Sequence, residues 1–301
     1  MSATKSIIRV NGLCKHYGRL PVLKGVDLTI RRGSLFGFLG PNGAGKTTTI
    51  RILLGLLRAS AGTALVFGED CWRAGPHLRR QIGYLPGDVR FHDHLTGAAT
   101  LAFLAAVRRV NCRAEIRRLS TALDLALDRR VRNYSRGMKQ KLGLIQAMMH
   151  RPALLILDEP TTALDPLVRE TLNDELRRAA GEGRTVLFSS HTLSEVEELC
   201  DEVAILRGGR VIEHERVDAL RRRAIRHVEI THNRPLPPIP EGMRVLHAGE
   251  GHFSGAWSGP IDRLLAWLSM CPAQDVTIAP SRLEDLFLAY YNQSGSVVTP
   301  G

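Results

Sequence analysis

The stretch Gly40-Pro-Asn-Gly-Ala-Gly-Lys-Thr47, GPNGAGKT in one-letter code, decides the fold. It satisfies the pattern G-x-x-x-x-G-K-[ST], and it lies between a short apolar run, SLFGFLG, and a helical pattern, TTTIRILLGLL. Glycines let a backbone wrap around a chain of phosphates, and the N–H groups at a helix N-terminus attract negative charge. The sequence therefore predicts a phosphate-binding loop between a buried β-strand and an α-helix.

This loop predicts a nucleotide site that holds ATP together with Mg²⁺. Lys46 is expected to reach the β- and γ-phosphates and to act in catalysis, while the Thr47 hydroxyl is expected to hold Mg²⁺. The residues of the loop expected to bind the nucleotide are Gly40, Pro41, Asn42, Gly43, Ala44, Gly45, Lys46, Thr47 and Thr48.

A second motif, LLILDEP, is an apolar strand that ends in two carboxylates. At the carboxyl end of a parallel strand beside the phosphate loop, Asp158 is predicted to hold Mg²⁺ through bound waters. Glu159 is predicted to act as general base by polarising a water towards the γ-phosphate. The alternative for this acidic pair is the capping of a turn.

Strand-like runs alternate with longer helical patterns along the first two thirds of the chain, which predicts an α/β domain with a mainly parallel sheet. SIIRVNGLCKHYG and VLKGVDLTI are predicted strands around a turn. PALLILD and TVLFSSH are predicted buried strands, joined by a crossover helix, LVRETLNDELRRAAG, that Gly181 closes. Residues from about 88 to 150, helical throughout from Thr96, are predicted to form an all-helical subdomain inserted in this core.

A domain boundary is predicted near residue 215. Residues 1–215 form the nucleotide-binding domain, and residues 216–301 form a small α+β accessory domain. The accessory domain is expected to end in a helix, SRLEDLFLAYY, and a frayed tail, NQSGSVVTPG.

Composition excludes several classes of protein. A hydrophobic fraction of 44% and a charged fraction of 24% are typical of globular proteins, and the apolar runs are too short to cross a bilayer. With no apolar secretion core in MSATKSIIRV, a cytosolic chain is expected. Five scattered cysteines lack the spacing of zinc or redox pairs and are expected to be reduced packing residues. A net charge of +11 permits a nucleic-acid partner or an anionic membrane face, without establishing either.

With these motifs in order, the sequence from about Ile7 to Ile212 resembles the ATP-binding subunits of ABC transporters. GPNGAGKTTT and LLILDEP resemble the Walker A and Walker B motifs of that family, YSRGM resembles its signature motif, TALD its D-loop, and SSH its switch histidine. The resemblance implies a P-loop NTPase (ABC ATPase) core. It also implies that Tyr17 stacks against adenine and that His191 contacts the γ-phosphate or orients the attacking water.

The segment NYSRGMKQKLGL predicts a helix that Ser135 caps, with Arg136 in a first turn where acidic residues are usual. Something negative is therefore expected to dock there, unless this is only an ordinary helix start. The resemblance implies that the anion is the γ-phosphate of a second subunit, contacted by Ser135 and Gly137, with Arg136 where the family has a second glycine. Two ATP molecules would lie between two nucleotide domains, and Asp165 would cross that interface.

One position departs from the family pattern. In IGYLPGDVRF, Gly87 stands where the family has a Gln or Glu that joins Mg²⁺ and the attacking water to the membrane partner. Glycine supplies no ligand, so either Asp88 or a water would have to take that place. Hydrolysis is expected to survive and to be slow without the partner.

The resemblance implies an ATPase that drives export through a separate integral-membrane permease of the ABC-2 type. It would act at the cytoplasmic face of the membrane with a second copy of itself or a homologous subunit, and no nucleic-acid partner is expected. Two alternatives stay open: a soluble ABC ATPase that acts on nucleic acid, and a nucleotide-binding regulator with weak catalysis.

Overall fold

The computed structural model describes residues 6–223 and 226–280. The chain divides after residue 215 into two compact units. The elements that lie in the first unit or begin in it are β1 (Ser6–Tyr17), β2 (Leu20–Arg31), β3 (Leu35–Leu39), α1 (Lys46–Leu53), β4 (Ala61–Val66), β5 (Glu69–Asp70), α2 (Gly75–Arg80), β6 (Ile82–Leu85), α3 (Gly97–Arg108), α4 (Arg113–Ala122), α5 (Arg136–Met148), β7 (Leu154–Asp158), α6 (Pro166–Gly181), β8 (Thr185–Ser190), α7 (Leu193–Leu199), β9 (Glu202–Arg207) and β10 (Arg210–Arg216). Across the described ranges, no helix combines the length and the apolar character that crossing a bilayer requires.

A six-stranded sheet with the order β10-β9-β3-β8-β7-β6 forms the centre of this unit. Strands β9, β3, β8, β7 and β6 run parallel, and β3, β7 and β8 are buried along their whole length. Continuous apolar runs such as LLIL suit strands that are covered on both faces. The mixed α/β fold and the parallel sheet predicted from the sequence are therefore confirmed.

The register of the parallel strands brings the predicted motifs together. Leu39, the last residue of β3, pairs with Ser190 of β8, and Asp158, the last residue of β7, pairs with Ser189. The phosphate loop, the acidic pair and the segment before His191 thus leave the sheet at the same edge.

A second, antiparallel sheet with the order β2-β1-β4-β5 packs on the first through an apolar core. Among the elements that contribute to this core, β1 supplies Ile8, β2 supplies Leu28, β3 supplies Phe38 and α1 supplies Ile50. This packing fixes the position of the β1–β2 hairpin relative to α1 and the phosphate loop.

Helices α3, α4 and α5 provide the regular structure between residues 97 and 148, as the helical pattern predicts, together with a 3₁₀ turn at Val131–Asn133. Thr96 caps α3 by accepting a hydrogen bond from the Ala99 N–H at 3.1 Å. Ser135 caps α5 in the same way, from the Met138 N–H at 3.2 Å.

Two helix ends differ from the sequence-based expectation. The pattern TTTIRILLGLL suggests a helix to residue 57, but α1 ends at Leu53. Gly55 has a φ of +62°, and a Cβ there would collide with the carbonyl oxygen of Cys71, so the chain must turn. Gly181 is the last residue of α6 rather than its terminator, and the left-handed turn comes at Gly183, with a φ of +82°.

The second unit comprises α8 (Val217–Arg223), β11 (Arg226–His232), β12 (Met243–Gly249), β13 (His252–Trp257), α9 (Ile261–Leu268) and β14 (Ala273–Pro280). Its four strands form an antiparallel sheet with the order β12-β13-β11-β14. Phe253 and Trp257 of the sheet share a buried core with Leu264 and Trp267 of α9. This is the α+β module that the sequence predicts; the predicted final helix and tail, residues 281–301, lie outside the described residues.

All five cysteines are free thiols, and Cys71, Cys112 and Cys200 are buried. Burial, reinforced by the charge of Asp70, raises the pKa of Cys71 to about 12, which keeps that thiol protonated and unreactive. The prediction that the cysteines are reduced packing residues is confirmed for these three.

Candidate functional site

The phosphate loop connects β3 to α1 in a conformation that requires glycine. Gly43 and Gly45 have φ values of 80° and 111°, in the left-handed region that side chains other than glycine rarely adopt. A Cβ at Gly40 would collide with the carbonyl oxygen of Leu206. Gly45 is the N-cap of α1 and offers no capping side chain, so the first N–H groups of the helix are free to bind an anion.

Lys46 is the first residue of α1, and its side chain is only 6% exposed. Its ammonium group donates hydrogen bonds to the carbonyl oxygens of Gly40 at 2.6 Å and Pro41 at 3.4 Å. The same nitrogen lies 3.1 Å from Glu159 Oε1. A desolvated positive charge is therefore held at the loop, beside the carboxylate predicted to be the general base.

Thr47 and Asp158 meet through a hydrogen bond of 2.8 Å from the threonine hydroxyl to Asp158 Oδ2. The other carboxylate oxygen, Oδ1, accepts from the Ser189 hydroxyl at 2.6 Å. Asp158 is 2% exposed, and a hydroxyl and a carboxylate are oxygen donors of the kind that Mg²⁺ prefers. The residues present therefore fit the predicted Mg²⁺ site.

Ser189 is a site residue that sequence reasoning missed. Its backbone carbonyl and its hydroxyl both accept from the Glu159 N–H, at 3.2 Å and 3.1 Å. The available signal was the pair of serines directly before His191, at the end of a strand next to LLILD in the sheet.

The carboxylate of Glu159 has two different environments. Oε2 lies 2.6 Å from Nδ1 of His191, whose side chain is 54% exposed. Oε1 is buried, and within the described residues it has no hydrogen-bond partner, because its contact with Lys46 is an ion pair without hydrogen-bond geometry. One carboxylate oxygen is thus oriented by the histidine, and the other keeps its lone pairs for a water molecule.

Tyr84 on β6 lies close enough to this carboxylate cluster to feel its charge. Burial, followed by the negative charge of Asp158, raises the pKa of Tyr84 to about 12. The phenol is therefore neutral at ordinary pH and adds no negative charge to the site.

Gly87 lies directly beside Asp158. A Cβ built on Gly87 would be 3.7 Å from Asp158 Oδ2, an ordinary contact distance, so a side chain could be accommodated there. Asp88 is instead held by Arg90, whose Nε and Nη2 atoms lie 2.9 Å and 2.8 Å from Asp88 Oδ2. Both side chains are exposed. Of the two positions, it is 87 that lies next to Asp158, the carboxylate predicted to hold Mg²⁺.

The predicted signature and D-loop residues lie at two helix starts. Ser135 caps α5, and Asp165 caps α6 by accepting from the Val168 N–H at 3.0 Å. A Cβ at Gly137 would be 2.6 Å from the carbonyl oxygen of Ala163, so the first turn of α5 packs closely on the loop that follows β7. The structure brings Gly137 together with the D-loop of its own chain.

Tyr17 ends β1, on the hairpin that contacts the phosphate loop. Tyr17 is 46% exposed as a residue, and Lys15 Nζ lies 5.3 Å from its ring centroid. On the same hairpin, Leu23 packs against Gly45, where an added Cβ would be 2.6 Å from its Cδ2 atom. Tyr17 is thus an exposed residue on a hairpin whose other strand contacts the phosphate loop, and its stacking on adenine stays a prediction.

Comparison with known proteins agrees with this geometry. The family model described as "ABC transporter" matches residues 23–162. The bacitracin transport ATP-binding protein BcrA of Bacillus licheniformis is 36% identical over 227 residues, covering 74% of this chain and 74% of that protein. The daunorubicin resistance ATP-binding protein DrrA3 of Streptomyces coeruleorubidus is 39% identical over 221 residues, covering 71% of this chain and 69% of that protein.

Some other ABC transporter ATP-binding relatives are matched over 55% to 71% of their length. A solved structure of the ATP-binding subunit of an ABC transporter superimposes with a TM-score of 0.66 at 32% identity, covering 72% of this chain and 92% of that one.

Proposed function

Because this chain belongs to the ABC transporter family of ATP-binding proteins, we propose that it is the ATP-hydrolysing motor subunit of an exporter whose conduit is a separate membrane permease. The observation that carries the proposal is the cluster at one edge of the central sheet. The cluster consists of Lys46, Thr47, Asp158 and Glu159. Within the described residues, one carboxylate oxygen of Glu159 is oriented by His191 and the other has no hydrogen bond.

ATP is the proposed substrate of this site. Its phosphates would lie in the loop from Gly40 to Thr48, where the N–H groups at the start of α1 and the ammonium of Lys46 offer positive potential. Lys46 would exchange its carbonyl partners for phosphate oxygens. Tyr17 supplies an exposed ring for the adenine.

Thr47 and Asp158 would hold Mg²⁺, which when bound neutralises charge on the phosphates. Ser189 fixes the Asp158 carboxylate in place through the hydrogen bond to Oδ1. Thr47 Oγ1 is the proposed direct ligand, and Asp158 Oδ2, 2.8 Å from it, is proposed to hold the ion through bound waters.

The two carboxylate oxygens of Glu159 have different proposed roles in hydrolysis. Oε1 takes a proton from the attacking water while the water oxygen forms its bond to the γ-phosphorus and the bond to the ADP oxygen breaks. His191 holds Oε2, which fixes the orientation of the base. Lys46 stabilises the charge that develops on the transferred phosphoryl group.

A second nucleotide domain completes the proposed site. Ser135 and Gly137 would donate to the γ-phosphate held by the partner, and Asp165 would cross the interface, with two ATP molecules between two domains arranged about a two-fold axis. ATP then favours the closed dimer because only that state provides the second set of donors. Hydrolysis removes this differential contact, and the dimer opens.

The proposed membrane partner is a permease of the ABC-2 type, which would place this chain at the cytoplasmic face of the membrane. A groove of about 480 Å³ lies between the segment after β6 and the start of α5, and we propose that a cytosolic helix of the permease sits there; it is lined by Gly87, Asp88, Val89, Arg90, Tyr134, Arg136, Lys139 and Gln140. The names of relatives in bacitracin transport and daunorubicin resistance favour a transport role over action on nucleic acid.

ATP hydrolysis by the purified chain tests the proposal. We expect phosphate release that requires Mg²⁺ and that falls at least a hundredfold in Lys46→Ala and in Glu159→Gln. Lys24→Ala, an exposed position on β2, is the matched lysine control and should leave the rate unchanged. A wild-type chain that binds ATP without hydrolysing it, alone or with its permease, would favour the regulator instead.

A further inference from the structure

Gln140 is a buried polar residue of α5 that the proposed mechanism does not use. It is 5% exposed, and its side-chain amide nitrogen donates to two consecutive carbonyl oxygens, those of Glu159 at 3.3 Å and Pro160 at 3.0 Å. Buried polar side chains are normally hydrogen-bonded, and here the partners belong to the backbone of the proposed general base. The contact joins the helix that Ser135 begins to the end of β7.

The backbone that Gln140 holds is in a strained conformation. Glu159 has a φ of 52°, in the left-handed region that non-glycine residues rarely occupy. Such a conformation persists only where surrounding contacts hold it in place. Among the described residues, three hydrogen-bond to the Glu159 backbone and could do so. On the N-terminal side, Ser189 accepts from the Glu159 N–H; on the other side, Gln140 and the Thr162 N–H donate to the Glu159 carbonyl.

The conformation of Glu159 determines where its carboxylate lies. Relaxation of φ to a negative value would rotate the side chain away from Lys46 Nζ and His191 Nδ1, which it now approaches within 3.1 Å and 2.6 Å. From this geometry we infer that Gln140 is a positioning residue for Glu159. The inference rests on the proposed function, because it assigns Gln140 a role in the same hydrolysis.

A second contact joins α5 to the loop after β7. Gly137 approaches the carbonyl oxygen of Ala163 closely enough that an added Cβ would be at 2.6 Å, and Ala163 itself has a φ of 63°. Helix α5 therefore touches the loop near Glu159 and again at Ala163. A partner's nucleotide that pulls on the N-terminus of α5 would act, through Gln140, on the base that serves the chain's own nucleotide.

The experiment measures steady-state ATP hydrolysis by the full chain with Gln140→Met. Methionine keeps the length and volume of the side chain and removes both N–H donors. We expect kcat to fall about tenfold or more while KM for ATP changes less than about twofold, because a misplaced base weakens the transition state and not the binding of ATP. A folded Gln140→Met protein with wild-type kcat would overturn the inference.

A double variant distinguishes positioning from general damage to the fold. If Gln140 acts through Glu159, then Gln140→Met should cause no further loss in a Glu159→Gln background, since the residual rate no longer depends on that side chain as base. A further loss by the same factor would place the effect elsewhere and overturn the inference.

Asn173→Leu is the matched control for loss of a buried amide. Asn173 is 6% exposed and donates to Glu198 at 2.9 Å, without contact to Glu159. It should lower the midpoint of thermal unfolding and leave kcat unchanged. If Gln140→Met does not fold, Gln140→Asn, which is one methylene too short to reach both carbonyls, replaces it with the same expected results.

Failure of the inference is distinguishable from failure of the proposed function. A wild-type chain whose hydrolysis is abolished by Glu159→Gln but untouched by Gln140→Met removes the role of Gln140 alone. A rate that Glu159→Gln leaves intact removes Glu159 as the base and the role of Gln140 with it, whereas a wild-type chain that does not hydrolyse ATP removes the proposed function.

Discussion

At the scale of single residues, Glu159 combines charged contacts with a strained backbone. Its carboxylate contacts a buried lysine and a half-exposed histidine, and its backbone adopts a conformation that costs about 1–3 kcal/mol for a non-glycine residue. A strained residue in a cluster of charges is typical of functional sites. It lies at the end of a strand whose own residues are ordinary apolar core.

Position 87 gives a prediction at the same scale. Gly87→Gln should raise the rate of ATP hydrolysis by the isolated chain several-fold, because a Cβ there meets Asp158 Oδ2 at an ordinary contact distance of 3.7 Å and the glutamine amide oxygen would supply an oxygen ligand for the Mg²⁺ proposed to lie beside Asp158. Phosphate release at saturating ATP measures this.

Asp88→Ala is the companion variant. Since Asp88 is exposed and paired with Arg90, its removal should change the rate less than about twofold. A large loss in Asp88→Ala would restore Asp88 as the residue that replaces the missing ligand, and no gain in Gly87→Gln would contradict the prediction for position 87.

Sequence reasoning located most readily the candidate residues that belong to one short motif. The loop from Gly40 to Thr48 and the pair Asp158–Glu159 can be recognised in the sequence because phosphate and metal binding depend on the spacing of neighbouring residues. Ser189 and Gln140 were missed because their partners are 31 and about 20 residues away, respectively, and only the fold brings them within hydrogen-bond distance.

At the scale of elements, α3 and α5, two helices that a hydroxyl caps, provide a matched pair. Each begins with a hydroxyl that accepts one N–H from the first turn, Thr96 at 3.1 Å and Ser135 at 3.2 Å. Thr96→Ala and Ser135→Ala should each cost about 1 kcal/mol of unfolding free energy. Only Ser135→Ala should strongly reduce ATP hydrolysis, because only that hydroxyl is proposed to contact a phosphate. Equal rates in the two variants would reduce Ser135 to a simple helix cap.

Helices α4 and α6 are joined by ion pairs centred on Arg118. Its guanidinium contacts Glu175 of α6 at 2.6 Å and 2.8 Å, and Glu115 of its own helix at 2.7 Å. Burial opposes ionisation of Glu175, but hydrogen bonds and charge from Arg118 and then Arg178 outweigh it, so that the pKa of Glu175 is lowered.

The lowered pKa gives the sign of a pH dependence. A carboxyl whose folded pKa is below its unfolded value, about 4.3 for Glu, stabilises the fold above that value and ceases to do so as pH falls through the folded pKa. Arg118→Met should therefore cost about 1–2 kcal/mol at pH 7 and less near pH 3, in equilibrium urea unfolding. A cost that does not change with pH would contradict this account. Arg90→Met, in an exposed pair, is the control.

Element types were easier to predict than element ends. Buried strands and the helical region after residue 96 follow from hydrophobic periodicity, because burial of a face determines which residues must be apolar. The early end of α1 depends on the carbonyl of Cys71, and the turn at Gly183 rather than Gly181 depends on a backbone angle; neither is encoded in local periodicity.

On the scale of the whole molecule, the chain combines a family core with a small antiparallel module that lies outside the residues matched by the family model. Fold-level inference from the sequence succeeded here because ordered motifs at strand ends determine where a nucleotide can bind. The membrane partner and the cargo are properties of surfaces that meet other chains, and motif spacing does not encode them.

The proposed dimer forms two nucleotide sites from two copies of the chain. Each proposed site uses the phosphate loop of one copy and the start of α5 of the other. A nucleotide that cannot be hydrolysed should therefore hold two chains together.

The most direct measurement is the mass of the Glu159→Gln chain by sedimentation velocity, with Mg²⁺ and with or without ATP, and with Ser135→Ala added as a control. We predict a monomer without ATP, a dimer with ATP, and a return to monomer in the double variant. A Glu159→Gln chain that binds ATP and remains monomeric, alone and with its permease, would contradict the central claim.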